Sequence, residues 1–298
     1  MRQPLILVSA LALALAAAAC GSSTASSSSN ANSSGSASAC APSNLNTLTP
    51  GELTIGTDNP AYSPYFTGGP GHTWKGQYNN DPYADKGFED VVAYSVAKQM
   101  GFPAAKVKWA YVPFSNSYKP GPKSFDFYLA QVSYTAQRAT AVDFSTSYYN
   151  VNQAVVALKS NPISHVTTIA GLRQYHLGTQ VGTTSYQFIT GTIKPSQTPN
   201  AYNTLNQAIS GLKAHQIDGI VIDLPTAFYM TAVQIPDSVI VGQFPASLAG
   251  GHFGLVLTKG SSLTPCVDRA LATLRSSGSL AAITKTWLSD KANAPILK

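Results

Sequence analysis

Residues 217–225 read Ile217-Asp218-Gly219-Ile220-Val221-Ile222-Asp223-Leu224-Pro225, an apolar run rich in β-branched side chains that ends on an acid and a proline. Such a run reads as a buried strand from Ile217 to Ile222. Asp before Pro is a common helix start, so the chain is expected to turn at Asp223 and continue as a helix from Pro225 to Val233. The same turn recurs upstream, where the strand Leu177 to Val181 runs into Gly182-Thr183-Thr184-Ser185 and a helix. Working outward, further strands are expected at Leu53 and Ile55, Val107 to Val112, Phe125 to Ala130, Val151 to Leu158, Val239 to Val241 and Phe253 to Leu257. Apolar residues at helical spacing predict a helix from Phe88 to Met100, closed by Gly101. Others are expected near Thr168 to Gln174 and through Leu205, Ile209 and Leu212, with two at the C-terminal end, one carrying Val267, Leu271 and Leu274 and the other Leu280, Ile283 and Trp287. Strands alternating with helices predict an α/β fold of mostly parallel sheets covered on both faces.

In such sheets ligands collect beyond the carboxyl ends of the strands, where helix N-termini present free N–H groups. The segments in that place are Thr57-Asp58, Ser133 to Arg138, Gly182-Thr183-Thr184 and Asp223. The chain has 298 residues, 44% apolar and 11% charged, enough for about two ordinary domains with buried cores. That composition excludes collagenous, fully disordered and disulfide-dense classes. The net charge of +6 comes from Lys and Arg scattered singly, so no nucleic-acid patch is expected.

Met1 to Ala19 has a basic start at Arg2, an apolar stretch from Leu5 and the small residues Ala17-Ala18-Ala19, a secretion signal too short to span a bilayer. The junction before Cys20-Gly21 resembles the bacterial lipobox, with Ala17 in place of the usual Leu. That resemblance implies a lipid on Cys20 and anchoring to the outer face of the cell membrane. The Ser-rich residues that follow predict an unfolded tether over 20–45. Cys40 and Cys266 then remain in an oxidising compartment, where they are expected to pair; the alternative is a buried thiol at Cys266 and a free one at Cys40.

Gly51-Glu52-Leu53-Thr54-Ile55-Gly56-Thr57-Asp58, Gly87-Phe88-Glu89, Phe125-Asp126, Thr135-Ala136-Gln137-Arg138-Ala139 and Val142-Asp143-Phe144-Ser145 follow one another in register, then Val181 to Ser185 and Ile217 to Asp223. Over residues 51–289 this order resembles the solute-binding proteins of polar amino-acid ABC importers. The resemblance implies the type II periplasmic binding protein fold, with lobe 1 at 46–149 and 248–298, lobe 2 at 150–247, and crossings near Tyr149 to Gln153 and Gln243 to Leu248. It also implies an amino-acid ligand, a permease and an ATPase as partners, no cofactor and a monomer.

By the same resemblance Arg138 grips the ligand carboxylate, for which a planar guanidinium is suited. Ser133 and Thr135 donate to that carboxylate, Thr183 with the Gly182 and Thr184 amides completes the cradle, and Asp223 receives the ammonium unless it caps the helix after it. Asp58 is a second acid, Tyr62 and Phe66 are expected to line the side-chain pocket, and Gln131 stands where a small residue is common. The segments 67–86 and 114–124 depart from the pattern; Pro120, Gly121 and Pro122 argue against a helix in the second. Two other readings are a receptor subunit for a membrane signalling partner and a dehydratase-like enzyme on the same fold. Against the enzyme, the chain has two Glu, neither after a strand end, no Gly-x-Ser-x-Gly elbow, and His residues too scattered for a metal site. Replacing Cys20 with Ser is expected to abolish fatty-acid labelling of the protein in a bacterial host; labelling that persists would place the lipid elsewhere.

Overall fold

The computed structural model describes residues 39–71, 80–288 and 294–298. The signal segment and Cys20 lie outside them. The tether expected over 20–45 ends sooner: Cys40 is disulfide-bonded to Cys266, with Cα atoms 5.5 Å apart, and a 3₁₀ turn at Pro42–Asn44 follows at once. Leu45 packs on the core, so the chain is already folded there.

Two five-stranded sheets make two lobes. In the first, β1 (Leu53–Thr57) lies parallel to β2 (Val107–Tyr111) and β3 (Phe127–Tyr128). The late strand β12 (Val256–Thr258) inserts antiparallel between β3 and β4 (Val142–Phe144). In the second, β7 (Leu177–Gln180) lies parallel to β8 (Asn200–Tyr202) and β9 (Gly219–Asp223), while β6 (Gln153–Leu158) runs antiparallel to β9 and to β10 (Ser238–Gln243). The ladders are therefore evenly mixed rather than mostly parallel. Each sheet holds a strand, β6 or β12, that enters directly from the other lobe, and a strand arriving that way runs against its neighbours.

Period-two burial accounts for the unbroken apolar runs. Ala154 and Val156 face one core of the second lobe with Ile220 and Ile222, and Val155, Ala157 and Val221 face the other. Helix Phe88–Gln99 lays Phe88, Val92 and Val96 on the first sheet with Leu53 and Ile55. Gly87 starts it at φ 113°, and a Cβ there would stand 2.3 Å from the Tyr65 carbonyl oxygen, so only glycine fits. Phe66, expected in the ligand pocket, is instead fully buried in this core, edge-on to Trp109. The strand expected over Phe125 to Ala130 shrinks to two residues, and the segment after Val112 forms one helical turn, Phe114–Ser117.

The lobes are joined by β5 (Tyr149–Val151), antiparallel to β11 (Gly251–Phe253). Strand β5 runs directly into β6 of the second sheet. The return crossing comes later than Gln243 to Leu248, because Pro245 and the turn Ala246–Ala249 intervene, and Gly254 separates β11 from β12. A further departure is at the carboxyl end, expected with lobe 1. Helix Ser279–Leu288 packs there, but Ala294–Lys298 lies on the second lobe: Gln243 N–H donates to Pro295 O (2.7 Å), Leu297 N–H to Gln243 O (2.9 Å) and Lys298 N–H to Thr167 O (3.0 Å). Leu297, 1% exposed, fills a gap beside Val241 and Phe244. Among the described residues no helix is long and apolar enough to cross a membrane.

The disulfide closes a loop spanning 226 residues. Its removal, as Cys40→Ser with Cys266→Ser, is expected to lower the free energy of unfolding by about 2–5 kcal/mol, read as a lower urea midpoint. An unchanged midpoint would mean that the segment before Leu53 contributes nothing to the fold.

Candidate functional site

The strand-to-helix turns converge on a cleft between the lobes. From the first lobe come Asp58 after β1, Tyr62, Phe114, Gln131, Ser133 and Arg138; from the second come Gln180, Thr183, Thr184, Ser185 and Asp223. The loop carrying Ser133 is held against β11 by Tyr134 N–H to His252 O (2.9 Å) and Gly254 N–H to Val132 O (3.2 Å), so the hinge itself positions the residues that lead to Arg138.

Arg138 is 6% exposed. Its Nη1 donates to Ser133 O (2.7 Å) in the first lobe and its Nη2 to Gly182 O (2.8 Å) in the second, while the Tyr118 and Phe114 rings lie 4.4 and 5.5 Å from the guanidinium carbon. Burial lowers its pKa, which Tyr118 and Asp223 oppose. Tyr118 Oη donates to the same Gly182 carbonyl (3.1 Å). Gly182 has φ 76°, in the left-handed region that favours glycine, and a Cβ there would meet Tyr118 Oη at 2.8 Å. Gly182 thus presents its carbonyl, not its amide, to Arg138, and its peptide does not line the cleft.

Asp223 ends β9 with its carboxyl turned to the cleft. It makes no capping bond to the helix Leu224–Tyr229 that it precedes; Gln153 Nε2 donates to its Oδ1 (2.6 Å), and Ser185 Oγ in turn donates to Gln153 Oε1 (2.6 Å). Burial pushes Asp223 up to about 7; the Arg138 charge and Gln153 pull it down, and Glu89 adds to the rise. Asp58 is raised by burial, against hydrogen bonds from the Asn59 and Phe114 backbone. Tyr62 is raised to about 12, chiefly by burial, over the first turn of helix Leu205–Lys213.

Eight of the eleven residues expected at the ligand line this one cleft: Arg138, Asp223, Ser133, Thr183, Thr184, Asp58, Gln131 and Tyr62. Besides Phe66 and Gly182, Thr135 lies outside it. Its hydroxyl accepts from Arg138 N–H (3.1 Å) as the cap of helix Ala136–Ala139, and it faces a neighbouring groove. Thr183 is likewise a cap, accepting from Tyr186 N–H (3.1 Å), so its hydroxyl is already engaged. The sequence reading missed Gln153, Ser185, Phe114 and Tyr118. A lone polar residue opening the apolar run 153–158 was the available signal for Gln153; nothing local marked the rings. Glu89 was also missed: fully buried, it accepts from Gln131 N–H (2.7 Å), from Gln131 Nε2 and from the Tyr148 hydroxyl. Among the described residues no group of three His, Cys, Asp or Glu is arranged to hold a metal.

Two hinged lobes with opposite charges meeting in their cleft are the arrangement of a binding protein, and residues 75–290 match the model of a family described in those terms. The chain belongs to the bacterial extracellular solute-binding proteins, family 3. Among curated relatives of this family 3 chain, ABC transporter arginine-binding protein 1 of Escherichia coli (strain K12) is 25% identical over 203 residues, 67% of this chain and 81% of that one. Among solved structures it is similar to the arginine-, lysine-, histidine-binding protein ArtJ from Geobacillus stearothermophilus, with TM-score 0.65, 20% identity, and 81% and 97% of the two chains covered. A Salmonella typhimurium periplasmic binding protein described as highly specific for arginine gives TM-score 0.64 and 24% identity over 80% and 99%. An ancestral amino-acid-binding protein, precursor of cyclohexadienyl dehydratase, gives 0.64 and 21% over 80% and 95%. These likenesses support the two-lobed fold.

Burial raises the carboxyls of Glu89, Asp90 and Asp223 to about 7, 8 and 7. The folded state then holds more protons than the unfolded chain, whose carboxyls titrate near 4. Stability contributed by these groups is full below about pH 4 and is lost as pH rises through 7–8. The melting temperature of the ligand-free protein is expected to fall from about pH 5.5 to 8, with Asp223→Asn flattening the slope. A melting temperature that stays level or rises over that window in calorimetry would show that these carboxyls take up no protons on folding.

Proposed function

We propose that this family 3 protein captures a free amino acid between its lobes and delivers it to an ABC importer. The observation that carries the reading is that Arg138 of the first lobe and Asp223 of the second line the same buried cleft, a positive and a negative group placed to hold the two ends of a zwitterion. Arg138 grips the carboxylate through the N–H groups its two carbonyl partners leave free, with the Ser133 and Thr184 hydroxyls, 3.4 Å apart, beside it. Asp223 accepts the ammonium, and Asp58 and Tyr62 border the side chain. Because each lobe supplies one pole, the ligand binds the closed form better than the open one, which is the condition for closure. The division into lobe 1 over 46–149 and 248–288 and lobe 2 over 150–247, joined by 294–298, belongs to this reading.

The protein is a carrier rather than an enzyme: Asp223 interacts across the cleft with the Arg138 guanidinium, a charge pair for holding a ligand. It acts as a monomer, tethered by a lipid on Cys20 to the outer face of the cell membrane, with the importer's permease and ATPase as partners. The curated arginine-binding relative supports the transport assignment over the receptor reading.

A panel of free L-amino acids is expected to include one that raises the melting temperature, by an amount equivalent to about 2.7 kcal/mol at a hundredfold excess over Kd. Arg138→Ala is expected to lose roughly 3–5 kcal/mol of that ligand's binding while keeping a cooperative transition. No response across the panel, or unchanged affinity in calorimetry, would remove the zwitterion from the cleft.

A further inference from the structure

Glu89 is the second residue of helix Phe88–Gln99 and is fully buried under the cleft floor, with no cation among its contacts. Its carboxyl holds one residue at both ends: Oε1 accepts the Gln131 backbone N–H (2.7 Å) and Oε2 accepts from the Gln131 side-chain Nε2. The Tyr148 hydroxyl, one residue before the crossing strand β5, donates to Oε1 as well. Gln131 sits at φ 52°, in the left-handed region that residues other than glycine occupy uncommonly, and it lines the cleft. One acceptor group, itself held by the Tyr148 hydroxyl, thus fixes both the backbone and the side chain of a cleft residue whose conformation its own chemistry does not favour.

Ionised, above about pH 7, the Glu89 carboxylate only accepts hydrogen bonds, so the Gln131 amide turns its nitrogen to Glu89, and its carbonyl oxygen is what remains for the cleft. Asp58 and Asp223 line the same cleft with acceptors of their own. A side chain ending in N–H groups satisfies such a wall, whereas one ending in acceptors or in carbon leaves buried acceptors unpaired. We propose that Glu89 is a positioning residue for specificity: it orients Gln131 so that its amide oxygen faces the bound side chain, selecting amino acids whose side chains end in N–H donors. This rests on the amino-acid reading above.

The test is calorimetry at about pH 8, above the value near 7 to which burial raises Glu89. L-Arginine, L-lysine and L-glutamine are compared with L-methionine and L-glutamate on the wild type, Gln131→Leu and Glu89→Gln. At least one donor-ended amino acid is expected to bind the wild type about tenfold or more tighter than methionine or glutamate, and Gln131→Leu to shrink that ratio about tenfold. Glu89→Gln frees the amide to rotate and shrinks it too, with glutamate gaining. Because Gln131 lines the cleft rather than the core, its variant carries the test if Glu89→Gln does not fold. A ratio that survives Gln131→Leu, or a wild type that prefers methionine or glutamate, overturns the specificity role alone. A wild type that binds none of the five but another amino acid lacking side-chain N–H groups also overturns the specificity role alone, whereas no binding across the full set of L-amino acids overturns it together with the amino-acid reading.

Discussion

A guanidinium removed from water has to be met by acceptors, and around Arg138 those acceptors come from both lobes. The Ser133 carbonyl belongs to the first and the Gly182 carbonyl to the second, and the Tyr118 and Phe114 rings pack beside the group. Neither lobe alone offers this environment, so the charge is both the feature that needs the cleft and a contact that draws the cleft together. The turn at Gly182, the cap by Thr135 and the anchoring of the 132–134 loop on β11 all serve to place these acceptors.

The opposite pole is built differently. Asp223, Glu89 and Asp58 are held by neutral donors, from Gln153, Gln131, Tyr148 and backbone N–H groups, with Arg138 the charge that acts on Asp223. Carboxyls desolvated without a paired cation remain energetically unsettled, and a cationic ligand group supplies what the protein withholds. The hinge adds a mechanical element. Besides the β5–β11 pair, the carboxyl-terminal residues return to the second lobe and pair with Gln243, whose side chain also accepts from Asn152 at the first crossing (3.2 Å). The described carboxyl-terminal residues Ala294–Lys298 thus add a further tie to the second lobe.

Much of this was legible beforehand. The apolar runs of β6, β7 and β9 and the helical spacing of Phe88, Val92 and Val96 marked their elements, because a strand or helix buried on a known face must repeat its apolar residues at its own period. The order of turns carrying Asp58, Arg138, Thr183 and Asp223 indicated the family and hence the cleft. What failed were side chains whose direction is not encoded locally. Phe66 lies four residues after Tyr62 and reads the same, yet it points into the core; Thr135 reads as a ligand donor and acts as a cap outside the cleft. Glu89 had no local mark of its role, since its partner Gln131 is 42 residues away.

By itself, then, the sequence determined the elements, their alternation, the family, and the two charged residues that face each other, since periodicity and turn chemistry are properties of neighbours along the chain. Only the tertiary structure decided which hydroxyls are free, that Glu89 holds Gln131, that the sheets are evenly mixed, and that Ala294–Lys298 lies on the second lobe. Those outcomes depend on which distant groups compete for the same donors and the same buried volume, and that competition exists only once the chain has folded.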